Sequence, residues 1–263
     1  MRLGEPVRVS HDFNRAILHE VAHRPYPVPS SPWVMTQTWH DLLFAHWRVD
    51  AEQLRSRVPR QFPLDLFDGE AWLGIVPFHM TNVEPRGLPL HPWISAFPEL
   101  NVRTYVRVAD QPGVYFFSLD AGNALAVRTA RAVLNLPYHT ASMTVTPEGD
   151  AVAYQSRRRN SQEDAELRAI YRPTGPPSAP TPGSLEYFLT ERYCLYNINH
   201  RGEPYRLEIH HPPWPLQPAA ADVHRNTMAE ANGLTLPTAP PILHFSRRQD
   251  MVGWGPTILP ARA

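Results

Sequence analysis

Runs of apolar residues separated by turn signals follow one another along most of the chain, and they predict strands. The run LLFAHWRV within residues 39–49 predicts the first strand, and Asp50 then caps a short helix that ends before Pro59. A turn at Asp68 and Gly69 precedes a long apolar run that ends around Pro85. The domain therefore begins with a strand, a short helix and a hairpin that leads into a core strand.

The clearest alternation of polar and apolar side chains lies in residues 99–108. The polar positions share one face of this predicted strand: Glu99, Asn101, Arg103, Tyr105 and Arg107. A second strand, GVYFFSLDAG, is predicted after a turn through Gln111, Pro112 and Gly113. The two strands form a predicted hairpin with one polar and one apolar face.

The remainder of the chain adds one longer helix and several short strands. Residues 123–134 have apolar positions at helical spacing, and strands are predicted on both sides of a turn through residues 147–150 and in residues 165–173. The proline-rich residues 173–182 predict an exposed connection, and Ser184 caps a short helix. A hairpin around Arg201 and Gly202 and a final strand near the C-terminus follow. This pattern predicts a mainly antiparallel sheet, curved or closed, that is covered by helices.

Composition and charge limit the cell compartment and the binding partners that we expect for this protein. The formal net charge is +0 with a pI near 7.3, so we expect no nucleic acid or anionic membrane as a partner. All 25 basic residues are arginine, and the sequence leaves open whether codon usage or function accounts for this bias. The single Cys194 excludes an internal disulfide, and no apolar stretch of roughly 18 to 20 residues predicts a membrane helix. We expect a cytoplasmic protein with a proline-rich arm, residues 1–33, and one domain, residues 34–263.

Several strings of residues, taken in order, resemble a known family. They are LLFAHWRVDAEQLRSRVP, DGEAWLGIVPF, ELNVRTYV followed by GVYFFSLDAG, AR with LPYH, and LTERYCLY with HHPPWPL. Together they resemble the DUF2071 family of uncharacterised bacterial proteins over roughly residues 39–254. That family is distantly similar to the acetoacetate decarboxylase-like superfamily. The resemblance implies a single α+β domain, mainly antiparallel β, in which a curved sheet forms a cone or partial barrel with a few short helices outside.

The resemblance also implies a departure in chemistry. In the decarboxylases, a glycine-phenylalanine-proline-lysine segment supplies a lysine that forms a Schiff base with a keto acid. The similar segment here runs from Asn135 to His139, and Tyr138 stands where the lysine would be. A phenol cannot form an imine, and the chain contains no lysine at all. If the protein is an enzyme, it is not a lysine Schiff-base decarboxylase.

The polar row of residues 99–105 is the first candidate site. If this face points into the curved sheet, Arg103 can bind a carboxylate while Glu99 orients the ligand or moves a proton. Asn101 and Tyr105 line the same face. The alternative is a row that faces solvent on a one-sided sheet.

Two adjacent residues, Tyr138 and His139, offer a phenol and an imidazole for hydrogen bonding or proton transfer. Neighbouring strand residues face opposite sides, so at most one of them lies inside, and Tyr138 is favoured because it replaces the lysine. Arg131 on the preceding helix offers a second cation. The alternatives are that Tyr138 is core packing and that Arg131 is a surface residue.

The histidines invite a metal hypothesis, which the spacing disfavours. The candidates would be His210 and His211 with His139, His79 or His200, but consecutive strand residues do not normally reach one ion. We expect no metal and no cofactor, and Cys194 is interpreted as a buried apolar residue.

The leading hypothesis is a pocket protein that binds or converts a small anionic, keto-acid-like molecule through Arg103, with Glu99 and Tyr138 nearby. The alternatives are a non-catalytic ligand-sensing or structural protein and a metal-dependent hydrolase. The sequence leaves open whether the protein is catalytic and whether it forms a homo-oligomer.

Overall fold

The computed structural model describes residues 16–87 and 92–260, and within them twelve strands form one sheet. The strands are β1 Met35–Val49, β2 Ala71–Pro85, β3 Phe97–Val108, β4 Gln111–Ala121, β5 Tyr138–Glu148, β6 Ala151–Arg158, β7 Glu166–Pro173, β8 Cys194–Ile198, β9 Pro204–His210, β10 Gln217–Asn226, β11 Ile242–Gly253 and β12 Thr257–Ile258. The helices are α1 Ala51–Arg55, α2 Pro92–Ser95, α3 Ala124–Leu134 and α4 Leu185–Thr190, with a 3-10 helix at Glu230–Asn232.

The sheet closes on itself in two ways because β4 has two parallel partners, β5 and β8. Through β5, β6, β7 and β10 the sheet returns to β11 and closes a nine-strand barrel. Through β8 and β9 it also returns to β11 and closes a seven-strand ring. The barrel and the ring share a wall of β11, β1, β2, β3 and β4. This confirms the predicted fold class, a mainly antiparallel and curved sheet with a few short helices outside.

The shared wall explains why the second half of β1 is an almost continuous apolar run. Leu43 and Ala45 of β1 belong to the core of the nine-strand barrel, whereas Leu42 and Phe44 belong to a second cluster inside the seven-strand ring. A strand that is buried on both faces has a nearly continuous apolar run instead of an alternating one. The run LLFAHWRV has this character.

The nine-strand barrel is filled with its own side chains. Its core contains large buried residues, among them Tyr154, Tyr171 and Phe245. The hydroxyl of Tyr154 donates to the backbone oxygen of Glu99 at 2.7 Å, so even the polar end of this ring is paired inside the protein. The candidate chemistry therefore lies on the other face of the shared wall.

Three helices, α1, α3 and α4, begin where the sequence predicts, whereas α2 and the 3-10 helix were not predicted. The Asp50 side chain accepts a hydrogen bond from Glu52 N–H and caps α1, and the Ser184 hydroxyl accepts from Tyr187 N–H at the start of α4. Asn123 caps α3 in the same way. No helix in residues 16–87 and 92–260 is long and apolar enough to cross a bilayer.

Two local predictions were wrong. The β3–β4 turn consists of Ala109 and Asp110, and Gln111 and Pro112 already belong to β4, where Pro112 pairs with Arg107. The whole of β10 was missed, because its sequence, QPAAADVHRN, has no aromatic residue and only one β-branched residue, Val223, to indicate a strand.

The described part of the arm, residues 16–33, packs against β9 and β11. Ile17 forms a cluster with Val252 and Trp254. Arg24 donates to the backbone oxygen of Ile209 at 2.7 Å, and its guanidinium carbon lies 4.6 Å from the centre of the Tyr193 ring. A buried arginine fixed by a carbonyl and an aromatic face attaches this segment to the outside of the seven-strand ring.

Candidate functional site

The polar row on β3 lies inside the seven-strand ring. Glu99 and Asn101 are buried, with 3% and 7% of their surface exposed. Phe78 of β2 lies opposite Glu99, and Val76 lies opposite Asn101. Because opposite residues of paired strands share a face, the row is flanked by apolar side chains. The burial of Glu99 and Asn101 excludes a solvent-facing row.

A phenol at the start of β5 lies against Glu99. The Tyr138 hydroxyl donates to Glu99 Oε2 at 2.9 Å. Burial raises the pKa of Glu99 to about 7, although hydrogen bonds from Tyr138 and Asn101 oppose the rise. Burial, together with the charge of Glu99, raises the pKa of Tyr138 well above 10. At neutral pH Tyr138 is therefore a hydrogen-bond donor, whereas Glu99 can exchange a proton.

Arg103 meets His46 of β1 across Gly74 of β2. Gly74 pairs with both residues, and a Cβ on it would lie 3.1 Å from His46 Cδ2 and 3.4 Å from Arg103 Cγ. The glycine thus leaves room for both side chains over the strand. Arg103 Nη2 donates to the Leu189 backbone oxygen at 3.1 Å, and its guanidinium carbon lies 5.5 Å from the centre of the Phe44 ring.

Tyr105 is fully buried and supports this group. Its hydroxyl donates to the Leu189 backbone oxygen at 2.8 Å and lies 2.7 Å from His46 Nε2. Since the hydroxyl has only one proton, the bond to His46 is donated by Nε2, and Nδ1 is left as an acceptor. Burial, with the charges of Arg103 and His244, lowers the pKa of His46 well below 6.5, so this imidazole stays neutral.

Several buried polar atoms of the ring interior have no hydrogen-bond partner among the described residues. They include Asn101 Oδ1, Arg103 Nε, His46 Nδ1 and Trp214 Nε1. Trp214 packs edge-on against Phe44 with ring centres 4.9 Å apart, so it belongs to the same interior. An unpaired buried polar atom costs about 1–3 kcal/mol, and most native structures contain few of them. Their concentration in one interior is typical of a place where a bound molecule or water completes the hydrogen bonds.

Arg103 and Tyr138 differ from the fully buried Tyr105, because both are half-buried. A side chain that keeps accessible surface borders a space large enough for a water molecule. Arg103 and Tyr138 therefore offer contact points for a small molecule on either side of Asn101 along the polar face.

Two predicted site residues lie elsewhere. His139 points to the opposite face of β5 from Tyr138, towards the ion pair of Asp120 and Arg158, whose side chains are 0% and 3% exposed. Burial, together with the charges of Arg158 and Arg131, lowers the pKa of His139 to about 4. Arg131 is exposed on α3. The structure brings neither His139 nor Arg131 to the bond between Glu99 and Tyr138.

The histidines proposed for a metal are also separated. Within residues 16–87 and 92–260, no three or more His, Cys, Asp or Glu side chains are placed to hold a metal ion. His210 Nε2 lies 2.8 Å from the backbone oxygen of Ile17, and His211 Nδ1 lies 2.7 Å from that of Pro212. Cys194 is buried, and burial raises the pKa of its thiol, which agrees with a small apolar residue.

Sequence reasoning missed three residues of the interior: Phe44, His46 and Trp214. His46 carried a usable signal, because it is a histidine two positions after Phe44 in an apolar strand and therefore shares the Phe44 face. Trp214 carried no such signal. It lies between prolines in a segment without a regular element, and it reaches the ring only through tertiary packing.

Solved structures share this architecture at low sequence identity. The chain is similar to acetoacetate decarboxylase from Legionella pneumophila, with a TM-score of 0.61 and 14% identity over 93% of this chain and 95% of that one. It is also similar to the enduracididine biosynthesis enzyme MppR complexed with pyruvate, with a TM-score of 0.58 and 9% identity over 90% of this chain and 93% of that one. At these identities the likeness establishes the fold alone.

Sequence relatives establish the family. An uncharacterized protein, YqjF, of Bacillus subtilis (strain 168) is 48% identical over 227 residues, which cover 86% of this chain and 93% of the relative. The model of DUF2071, described as an uncharacterized conserved protein, matches residues 36–250. With most of its length matched, the chain belongs to the DUF2071 family, on an acetoacetate decarboxylase-like fold.

Proposed function

We propose that this protein binds a small keto-acid-like carboxylate inside the seven-strand ring, with Arg103 as the contact for the anion. The observation that carries the proposal is the pair of buried atoms, Arg103 Nε and Asn101 Oδ1, that have no partner among the described residues and lie on the same strand face as Glu99. A guanidinium is suited to carboxylates because its planar fork donates two parallel hydrogen bonds. Structural similarity to acetoacetate decarboxylase and to MppR with bound pyruvate supports a keto acid as the ligand class.

The chemistry of this site differs from Schiff-base catalysis. The chain has no lysine, and Tyr138 is a phenol whose raised pKa keeps it protonated. The group suited to proton transfer is Glu99, whose pKa of about 7 lets it accept and return a proton near neutrality. The proposed conversion is proton exchange at the carbon next to a carbonyl, with Arg103 holding the carboxylate.

A non-catalytic ligand-sensing or structural protein is the second candidate. The observation that favours it is the hydrogen bond from Tyr138 to Glu99, because the residue that the resemblance puts in place of the nucleophile is already paired inside the protein. Such a protein would bind the same anion through Arg103 and would leave it unchanged.

Thermal shift with pyruvate, acetoacetate and acetate tests binding. A ligand at 100 times its Kd stabilises the folded state by about 2.7 kcal/mol, which raises the Tm by several degrees. We expect a shift in wild type, its loss in Arg103→Gln, and its retention in Arg168→Gln, which changes an exposed strand arginine. If none of the three acids raises the Tm of the wild type, or if they raise the Tm of Arg103→Gln by the same amount, the proposed anion site is wrong.

Proton exchange separates the two candidates. Pyruvate in D2O is followed by NMR for loss of its methyl protons, with and without the protein. Exchange that is accelerated by the wild type and abolished in Glu99→Gln, while the thermal shift is retained, supports an enzyme. Binding without acceleration supports the non-catalytic candidate.

A further inference from the structure

The side-chain oxygen of Asn101 is a hydrogen-bond acceptor that receives no hydrogen bond from the described residues. The residue is 7% exposed, and its register partners, Val76 on β2 and Leu119 on β4, are both apolar. Asn101 lowers the pKa of Glu99, as a donor facing the carboxyl does, so Nδ2 is the amide atom turned to Glu99 and Oδ1 faces elsewhere. Oδ1 is buried and has no partner among the described residues. The opposite orientation of the amide would place Oδ1 against the oxygens of Glu99.

A cation lies next to this acceptor. Arg103 is two residues along β3 on the same face, which places the two Cα atoms about 6–7 Å apart. Its Nε is a buried donor that also has no partner among the described residues. A molecule that satisfies both atoms accepts at one end, as an anion, and donates at the other. A plain carboxylate or a ketone has no donor to give to Asn101.

The unpaired acceptors of the site indicate which donor group the ligand carries. A hydroxyl brings one proton, which Asn101 Oδ1 can accept. An ammonium brings three protons and therefore needs further acceptors besides Asn101 Oδ1, whereas Glu99 already accepts from Tyr138. Another buried acceptor, His46 Nδ1, lies on the far edge of its ring, because Cδ2 and Nε2 are the atoms next to Gly74.

We propose that Asn101 is a specificity residue and that the ligand carries a hydroxyl beside its carboxylate, as a 2-hydroxy acid or the enol of a 2-oxo acid. The carboxylate binds Arg103, and the hydroxyl donates to Asn101 Oδ1 next to Glu99. This inference rests on the proposed anion site and adds to it the form in which the acid is recognised.

Isothermal titration calorimetry of the full chain with both enantiomers of 2-hydroxypropanoate, with propanoate and with 2-aminopropanoate tests the inference. We expect one hydroxy enantiomer to bind about tenfold more tightly than propanoate, the factor that one added hydrogen bond of typical strength gives. That ratio is expected to vanish in Asn101→Leu. It should persist in Asn232→Leu, which removes a half-buried amide that bonds to Ser118 and Met228.

Each failure has its own meaning. Equal affinity of wild type for the hydroxy acid and propanoate, or a ratio that persists in Asn101→Leu, overturns the role of Asn101 and leaves the anion site standing. Tighter binding of 2-aminopropanoate overturns the hydroxyl in favour of an ammonium. If no acid binds, the proposed function itself fails. Asn101→Ala replaces the leucine variant if that variant does not fold.

Discussion

Glu99 combines a carboxyl group with almost complete burial, and this combination predicts a specific pH dependence of stability. Its pKa rises from an ordinary value of 4.5 to about 7 in the folded chain. Between these values the folded state holds a proton that the unfolded state has lost, so the stabilisation is fully present below pH 4.5 and is lost as the pH rises through 7. The loss amounts to about 3 kcal/mol at 1.36 kcal/mol per pKa unit.

Glu99→Gln cannot ionise and is expected to escape this loss. Urea unfolding of both proteins from pH 4.5 to 8 should show that the variant gains about 3 kcal/mol in unfolding free energy over wild type as the pH rises. The exposed Glu148→Gln serves as the control and should follow the wild type. A constant difference between Glu99→Gln and wild type would contradict an ionisable, buried Glu99.

At the scale of residues, sequence reasoning located part of the candidate site. The period-two pattern placed Glu99, Asn101 and Arg103 on one face, and the structure buries that face. Tyr138 was predicted from the family resemblance, and in the structure its hydroxyl donates to Glu99. The approach of Arg103 and His46 over Gly74 was not predictable, because it depends on how β1 and β3 each pair with β2.

At the scale of elements, the parallel contact between β4 and β8 depends on Gly113. A Cβ there would lie 2.7 Å from Cys194 Sγ, 2.7 Å from the Tyr196 ring and 2.8 Å from the Cys194 backbone oxygen. Because one of these atoms belongs to the backbone, the contact cannot be relieved by a side-chain rotation alone. Gly113→Ala is expected to destabilise the protein by roughly 1–3 kcal/mol in urea unfolding.

Gly255→Ala is the matched control for Gly113→Ala. Nothing lies within 4 Å of the position that its Cβ would occupy, so we expect little change in stability. Equal stability of the two alanine variants would mean that β4 and β8 are not packed as closely as the structure has them.

The ion pair of Asp120 and Arg158 joins two strands that are not neighbours, β4 and β6. Removing one partner leaves a buried charge uncompensated, so Asp120→Asn is expected to cost about 3–5 kcal/mol. The exposed pair of Arg48 and Glu70, with side chains 66% and 47% exposed, offers a comparison in which Glu70→Gln should cost at most about 1 kcal/mol. Urea unfolding at pH 7 measures both, and similar small losses would argue against a buried charge pair.

At the scale of the whole molecule, the sequence predicted a curved, mainly antiparallel sheet but not its double closure. Local turn signals predict hairpins such as β5–β6 and β8–β9, since those partners follow one another in the chain. Two sets of pairings close the rings: β4 pairs with β5 and β8, and β11 pairs with β9 and β10. None of these four pairings is a tight hairpin. No local pattern encodes such pairings, and a shared wall with two buried faces is their consequence.

Because the whole chain has no lysine, the reaction of an introduced lysine can be measured without interference from other side-chain amines. If Tyr138 occupies the place of the decarboxylase lysine, Tyr138→Lys puts the chain's one side-chain amine beside Glu99, in surroundings that keep most of the side chain from water. Burial favours the neutral, nucleophilic amine, whereas Glu99 keeps a proton within reach. Incubation with acetoacetate and borohydride is then expected to trap a covalent adduct on the new lysine, which is detected as an increase in mass. Wild type should show only the increase that comes from its terminal amine. Arg168→Lys places an equally unique amine in an exposed position, and a yield from Tyr138→Lys no higher than from this control would contradict the assignment of Tyr138 to the lysine position.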